Sequence, residues 1–285
     1  MKTKHAAPLL AALILMAGCT AGTQPESPSS TGTTGTTGAP AVTAKKLGYE
    51  VVKELPHNRN SFTQGLEVVG ADTFAESDGR YGQSKVKLVR ISTGEDIKVV
   101  DLPKKHFAEG LTKVGDQLVQ ITWKERTAHV WSATDLTKTE TEFSYDGEGW
   151  GLCNDKLAGV VWRSDGTPTL NAHDPKTFRQ TKKVTVTLDG KPLPQLNELE
   201  CVDGKVWANV WQTNQIVQID PASGAVVAYV DLTELKDRAQ AKNGTAFDAD
   251  QVLNGIAQDF SSKDYYVTGK QWPTMFQIKI KKADK

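Results

Sequence analysis

Apolar residues recur at every second position along much of this chain. The stretches KVKLVRIS (85–92), AHVWSA (128–133), KVTVTL (183–188), QIVQID (215–220) and MFQIKI (275–280) alternate Val, Ile, Leu or Trp with polar residues. That period predicts strands with one buried face. Turn pairs such as Thr93-Gly94, Asp189-Gly190 and Ser223-Gly224 bound them. Only residues 232–242 carry the spacing of a short helix. The pattern is that of an all-β protein.

The pattern also repeats. A similar unit starts at Gly65 (GLEVVGADTFAESDG), Gly110 (GLTKVGDQLVQITWKE), Gly151 (GLCNDKLAGVVWRSDG), Glu198 (ELECVDGKVWANVWQT) and Gly255 (GIAQDFSSKDYYVTGK). Each unit pairs an apolar strand, a turn and a second apolar strand, with a third near Leu88, Val130, Leu170, Val217 and Phe276. Recurrence at about 40–57 residues with three or four strands per unit predicts the blades of a five-bladed β-propeller. A β-sandwich is equally rich in strands but does not repeat at blade length.

In a propeller the first strand of each blade lines the central channel, so the residue opening the first strand and the residue leaving the second meet at one mouth. The opening positions hold Gln64, Glu109, Trp150, Asn197 with Glu198, and Asn254. The leaving positions are read as Glu76, Trp123, residues 162–164, Trp211 and Lys270. Amide, carboxylate, indole and ammonium groups replace the aliphatic residues of a packed core, which predicts an aromatic-walled pocket with a few convergent polar groups.

The N-terminus reads as a targeting segment and a tether. Lys2, Lys4 and His5 precede an apolar run at 9–17, shorter than the roughly 20 residues of a spanning helix, as in a signal peptide. The string LMAGC resembles the lipobox of bacterial lipoproteins, in which the cysteine, here Cys19, is acylated; the alternative is ordinary cleavage leaving Cys19 free. Residues 20–44 are Thr, Gly, Ser and Pro with almost no bulky apolar group, too little apolar surface to order themselves. The expected organisation is therefore 1–18 signal peptide, 19–44 lipidated cysteine and flexible linker, and 45–285 propeller. An exported monomer anchored to the membrane of the cell envelope through Cys19 follows.

Composition narrows the partners. Lysine and arginine (34) balance aspartate and glutamate (34), so the basic excess that drives nucleic-acid binding is missing. Cys19, Cys153 and Cys201 offer no CxxC spacing, and His57, His106, His129 and His173 form no HxH or HExxH pattern. The reading is therefore no metal and no cofactor, with the histidines as surface or loop residues. Cys153 and Cys201 fall one step out of phase on equivalent strands and so face opposite sides, which predicts two buried thiols rather than a disulfide.

The strings SFTQGLE, ESDGRYGQS, FAEGLT, EGWGL, SDGTPTL, LNELE with VWANVW, LNGIAQD and VTGKQWP resemble, in order and spacing, the plant and bacterial glutaminyl-peptide cyclotransferases. The resemblance covers about residues 48–280. It implies a five-bladed propeller that cyclises the N-terminal glutamine of peptides or proteins to pyroglutamate, releasing ammonia without a metal. It further implies that Glu109 of FAEG, where the family has FGEG, is the general acid/base, with Lys270 assisting. Phe62, Gln64, Phe107, Trp123, Trp150, Asn197 and Trp211 would form the substrate pocket.

The chemistry suits these types. One carboxylate can take the amine's proton and return it to the departing nitrogen if its pKa lies near the working pH, and indole walls would raise that pKa by desolvation. Lys270 would stabilise charge on the carboxamide oxygen. Trp131, Trp162 and Trp207 are read as blade-packing residues. Glu198 and Glu200, two apart on one strand, cannot flank a sugar as a glycosidase pair must. A lectin-like binding propeller and a lipid-anchored scaffold remain the alternatives.

Overall fold

A computed structural model describes residues 42–281 and shows five antiparallel blades. Blade one comprises Thr63–Gly70, Thr73–Asp78, Lys85–Arg90 and Asp96–Asp101; blade two comprises Ala108–Val114, Gln117–Thr122, Thr127–Ser132 and Lys138–Ser144. Leu152–Asp155, Val160–Arg163, Thr169–His173 and Gln180–Thr185 form blade three. Blade four holds Leu196–Val202, Lys205–Val210, Gln215–Ile219 and Val226–Asp231, and blade five holds Leu253–Gln258, Tyr265–Gly269 and Thr274–Ile280.

Blade five is completed from the other end of the chain. Tyr49–Pro56 pairs antiparallel with Thr274–Ile280 as its outer strand, from Tyr49 opposite Ile280 to Pro56 opposite Thr274. Just before it, Lys45–Leu47 adds a parallel fifth strand to blade four, Lys45 lying opposite Ala228. The helix spans Thr233–Asn243 and ends on Gly244 in the left-handed conformation, the usual glycine stop.

The innermost strands touch in a closed ring, and glycine lets them come close. A β-carbon on Gly65 would meet Leu111 N at 2.5 Å, one on Gly110 Leu152 N at 2.6 Å, and one on Gly151 Asn197 O at 2.0 Å. Such contacts admit no side chain, which is why the repeat opens on Gly-Leu in three blades. Between the blades lie the apolar clusters; Trp162, Trp207 and Trp131 are buried in them, each in a different one.

Cys153 and Cys201 form a disulfide with α-carbons 5.3 Å apart, which corrects the expectation of two free thiols. Their half-period offset is what brings them together. They sit on the innermost strands of adjacent blades, so a side chain leaving blade three toward blade four must point opposite to one leaving blade four toward blade three.

His57 and His106 lie in loops, as read, whereas His129 and His173 lie on strands. All four are buried, each with a polar partner. His57 bonds Glu76 and the Trp272 carbonyl at 3.0 and 2.7 Å. His106 and His129 bond one another at 2.8 Å, and His173 bonds the Phe178 carbonyl at 2.8 Å. A buried imidazole needs such partners, and sequence spacing does not reveal them.

Candidate active site

Four of the five innermost strands begin with an irregularity. The ladder to the second strand slips between Thr63 and Gly65, Ala108 and Leu111, Leu196 and Leu199, and Leu253 and Ile256. A bulge redirects a side chain out of the pleat, and the displaced residues are Gln64, Glu109, Asn197 and Asn254. Trp150 sits just ahead of the corresponding strand in blade three. Trp123, Trp211 and Lys270 follow immediately on Thr122, Val210 and Gly269, the ends of second strands.

These positions surround one cavity of about 330 Å³, lined by Phe62, Gln64, Arg80, Phe107, Glu109, Trp123, Trp150, Asn197, Trp211, Asp250 and Lys270. All nine residues named from sequence as catalytic or substrate-binding in the propeller line it. Cys19 lies outside the described residues. Glu198 and Asn254 stand behind the wall: Glu198 accepts the backbone N–H of Ile256 at 2.8 Å and of Leu66 at 3.3 Å. Glu200 likewise accepts Gln258 N–H at 2.9 Å, so the two carboxylates brace neighbouring strands.

Glu76 is misplaced by the sequence reading. It lies in the interior, accepting hydrogen bonds from Thr63 at 2.7 Å and His57 at 3.0 Å and pairing with Lys87 at 2.7 Å. Burial alone would raise its pKa, but Lys87 and His57 hold it far below the usual carboxylate value. The second strand of blade one runs on to Asp78, so the leaving residue is Gly79, where a β-carbon would strike Phe107 and Gln64, and Arg80 just after it is the residue that lines the cavity. Aligning strand ends rather than counting from the repeat start leads to Gly79 and so to within one residue of Arg80. In blade three the leaving residue is Ser164, which accepts Gly151 N–H and donates to the Asn197 carbonyl. Asp250 comes from the segment after the helix, where no repeat signal exists.

The walls are held as a unit. Glu148 Oε2 accepts both indole N–H groups, from Trp123 at 2.7 Å and from Trp150 at 3.0 Å. Trp150 meets Trp211 edge to face at 5.7 Å, and Phe107 meets Trp123 at 5.6 Å. On the far side the Arg80 guanidinium lies 4.4 Å from the Phe62 ring centre and donates to Gln271 at 3.0 Å. Lys270 Nζ lies 4.7 Å from the same ring.

Glu109 is 5 % exposed. Burial lifts its pKa well above the ordinary carboxylate value; Lys270 draws it down, and Glu148 and Glu125 push it up. Burial in turn lowers Lys270 to about 8, although Glu109 and Asp250 pull it back up. The site thus holds an acid and a base that both titrate toward neutrality. Gln64 Nε2 donates to Glu109 Oε1 at 3.2 Å, and Asn197 Oδ1 is buried with no hydrogen-bond partner among the described residues. A base, a cation, an open acceptor and three indoles facing one small cavity can bind an amide-bearing group and move a proton on it. The methyl of Ala108 points away into the cluster shared with blade one.

Comparisons with known proteins agree with this picture. The sequence profile of a family described as glutamine cyclotransferase matches residues 15–280. The chain is 40% identical over 234 residues to a glutaminyl-peptide cyclotransferase of Arabidopsis thaliana, covering 82% of this chain and 72% of that protein. It is also similar to the crystal structure of Myxococcus xanthus glutaminyl cyclase, with a TM-score of 0.77 and 36% identity over 85% of this chain and 100% of that one.

Proposed function

This chain belongs to the glutamine cyclotransferase family, and on that premise we propose how its cavity converts an N-terminal glutamine into pyroglutamate. The reaction is an intramolecular acyl transfer. The α-amine attacks the side-chain carboxamide carbon, the new N–C bond closes the five-membered ring, and the old C–N bond breaks to release ammonia. Ionised Glu109 accepts the proton that the attacking amine sheds and returns it to the departing nitrogen, so the carboxylate is regenerated each turnover.

The observation that carries this reading is the buried Glu109 carboxylate facing an aromatic cavity beside Lys270. A pKa raised by burial makes Glu109 basic enough to take the amine's proton and acidic enough to give it back. Lys270, in its charged form, stabilises negative charge developing on the carboxamide oxygen. Asn197 offers its free oxygen to the substrate's N–H groups. The indole walls exclude water and orient the glutamine side chain. Each of these steps falls to side chains of the chain itself, as the resemblance of its motifs to the metal-free cyclotransferases implies.

The test follows the mass of a glutamine-initiated peptide, which should fall by one ammonia. Glu109→Gln keeps the shape and removes the base, so activity should drop by about 10²–10⁴-fold. The same change should not lower stability. A carboxylate whose folded pKa is raised above its unfolded value opposes folding once pH exceeds the unfolded value, and the amide removes that opposition. Loss below about tenfold with unchanged binding would remove Glu109 from the role.

We also propose, from LMAGC and the Thr, Gly, Ser and Pro stretch after it, that the enzyme is exported and works as a monomer tethered to the envelope by lipid on Cys19. Mass analysis of the mature N-terminus, with Cys19→Ser as the control, tests the anchor; a mature chain lacking acyl mass on Cys19 would refute it.

A further inference from the structure

The hydrogen bonds behind Glu109 form a directed chain. Asn254 is wholly buried and is absent from the cavity wall. Its Nδ2 lies 2.9 Å from the Thr63 carbonyl and 3.3 Å from Gln64 Oε1. A backbone carbonyl only accepts, so the Asn254 group facing it must be the NH₂. That NH₂ also faces Gln64, so the Gln64 atom there must be its oxygen. The Gln64 nitrogen is therefore the atom turned to Glu109 Oε1, at 3.2 Å. One main-chain carbonyl thus fixes the orientation of two side-chain amides in succession.

We propose that Asn254 is a positioning residue for catalysis: by locking the amide of Gln64 it makes Gln64 a permanent donor to Glu109 and assigns the mobile proton to Glu109 Oε2. The inference rests on the role of Glu109 given above. With Oε1 already accepting from Gln64, which lowers its basicity, Oε2 is the oxygen that takes a proton from the substrate amine and hands it on. Without Asn254 the Gln64 amide can turn over and present its oxygen to Glu109. That favours the protonated carboxyl, which alone can donate to it, and leaves the base form disfavoured. The bulges at Gln64 and Asn254 hold the two residues together across the junction of blades five and one. Among the described residues the side-chain Oδ1 of Asn254 has no hydrogen-bond partner, so its contribution lies in what its NH₂ donates.

The groups facing Glu109 are Lys270, Glu148 and Glu125, and Asn254→Ser changes none of them. A hydrogen bond from a neutral donor to a carboxylate is worth enough to move its titration by about one to two pH units. Asn254→Ser should therefore shift the acid limb of kcat/KM upward by up to that amount and lower kcat at neutral pH, with KM changed less. A limb that stays fixed in a folded, active variant overturns the proposal. The double variant with Gln64→Leu is the sharper arm: once Gln64 is gone, Asn254→Ser should add no further shift, and a full additional shift would show that Asn254 acts by another route.

If Asn254→Ser does not fold, the wild-type enzyme still decides. The side-chain NH₂ resonance of Gln64, identified by its loss in Gln64→Leu, should titrate with the midpoint of the kinetic acid limb, and an unresponsive resonance refutes the contact. Wild-type turnover of a glutamine-initiated peptide separates the two readings. No ammonia release would refute the assignment of Glu109, whereas normal release with an unmoved limb would refute only the role of Asn254.

Discussion

Glu148 allows charge and geometry to be separated in one site. Its Oε2 accepts the indole N–H of both Trp123 and Trp150, and its charge is one of the influences that raise Glu109. Glu148→Gln keeps an acceptor oxygen between the indoles and removes the charge. The Glu109 pKa should fall, the carboxylate should persist to lower pH, and the acid limb of kcat/KM should move down. KM should change little. Glu148→Ala should produce the same shift and also free both indoles. The Glu148 side chain is 39% exposed, so each bond is taken at the low end of its range, about 1 kcal/mol, or about 2 kcal/mol together. Expressed wholly in binding, that is a rise of about 30-fold in KM. The assay is ammonia release against pH and substrate concentration for both variants. If both lose KM equally while the limb stays put, Glu148 is only a clamp; if Glu148→Ala leaves KM unchanged, the shared carboxylate does not hold the walls.

Three other outcomes are expected. Replacing Trp123 or Trp150 with Ser should admit water and move the acid limb toward the unperturbed glutamate value of about 4.3, because desolvation is the largest cause of the raised Glu109 pKa; an unmoved limb in folded, active variants would mean the indoles are not its source. Cys153→Ser with Cys201→Ser should cost about 2–4 kcal/mol, since the bridge closes a sequence separation of 48 residues; calorimetry should show a drop of about 10 °C, and an unchanged melting point would contradict a structural bridge. Activity should survive prolonged exposure to a chelator, and loss restored by zinc would overturn the metal-free mechanism.

The sequence shows the blades because each one must bury the same alternating face against its neighbours, and that requirement is written as a repeat. It shows Gln64, Glu109, Trp150 and Asn197 because they hold one position in that repeat. Arg80 is not legible because the second strand of blade one reaches Asp78, so counting falls on Glu76, and because the equivalent position is Gly79, one residue before the side chain that reaches the cavity. Asp250 escaped because it lies on a segment with no counterpart in other blades. The disulfide was misjudged because alternation describes one strand, whereas contact between blades depends on facing sides of two. The burial of the histidines is not legible because partners such as Glu76 and the Trp272 carbonyl come from distant segments. The outer strand of blade five was hidden for the same reason: Tyr49–Pro56 precedes the first repeat unit and belongs to the last.

That closing strand also bears on the order in which the molecule can assemble. Synthesis delivers Tyr49–Pro56 ahead of all five repeat units and its partner Thr274–Ile280 after the other blade strands, so the pairing cannot form until every blade has been made. Four blades can fold as local hairpins in turn, but the ring stays open, with the inner edges of blades one and five unsealed, until the two ends meet. Closing so long a loop is slow, although its entropic cost grows only with the logarithm of its length. Closing the ring is also what sets Gln64 of blade one beside Asn254 of blade five. A chain clipped within either of these strands would keep blades one to four but break blade five, and with it the seam that holds Gln64 against Asn254.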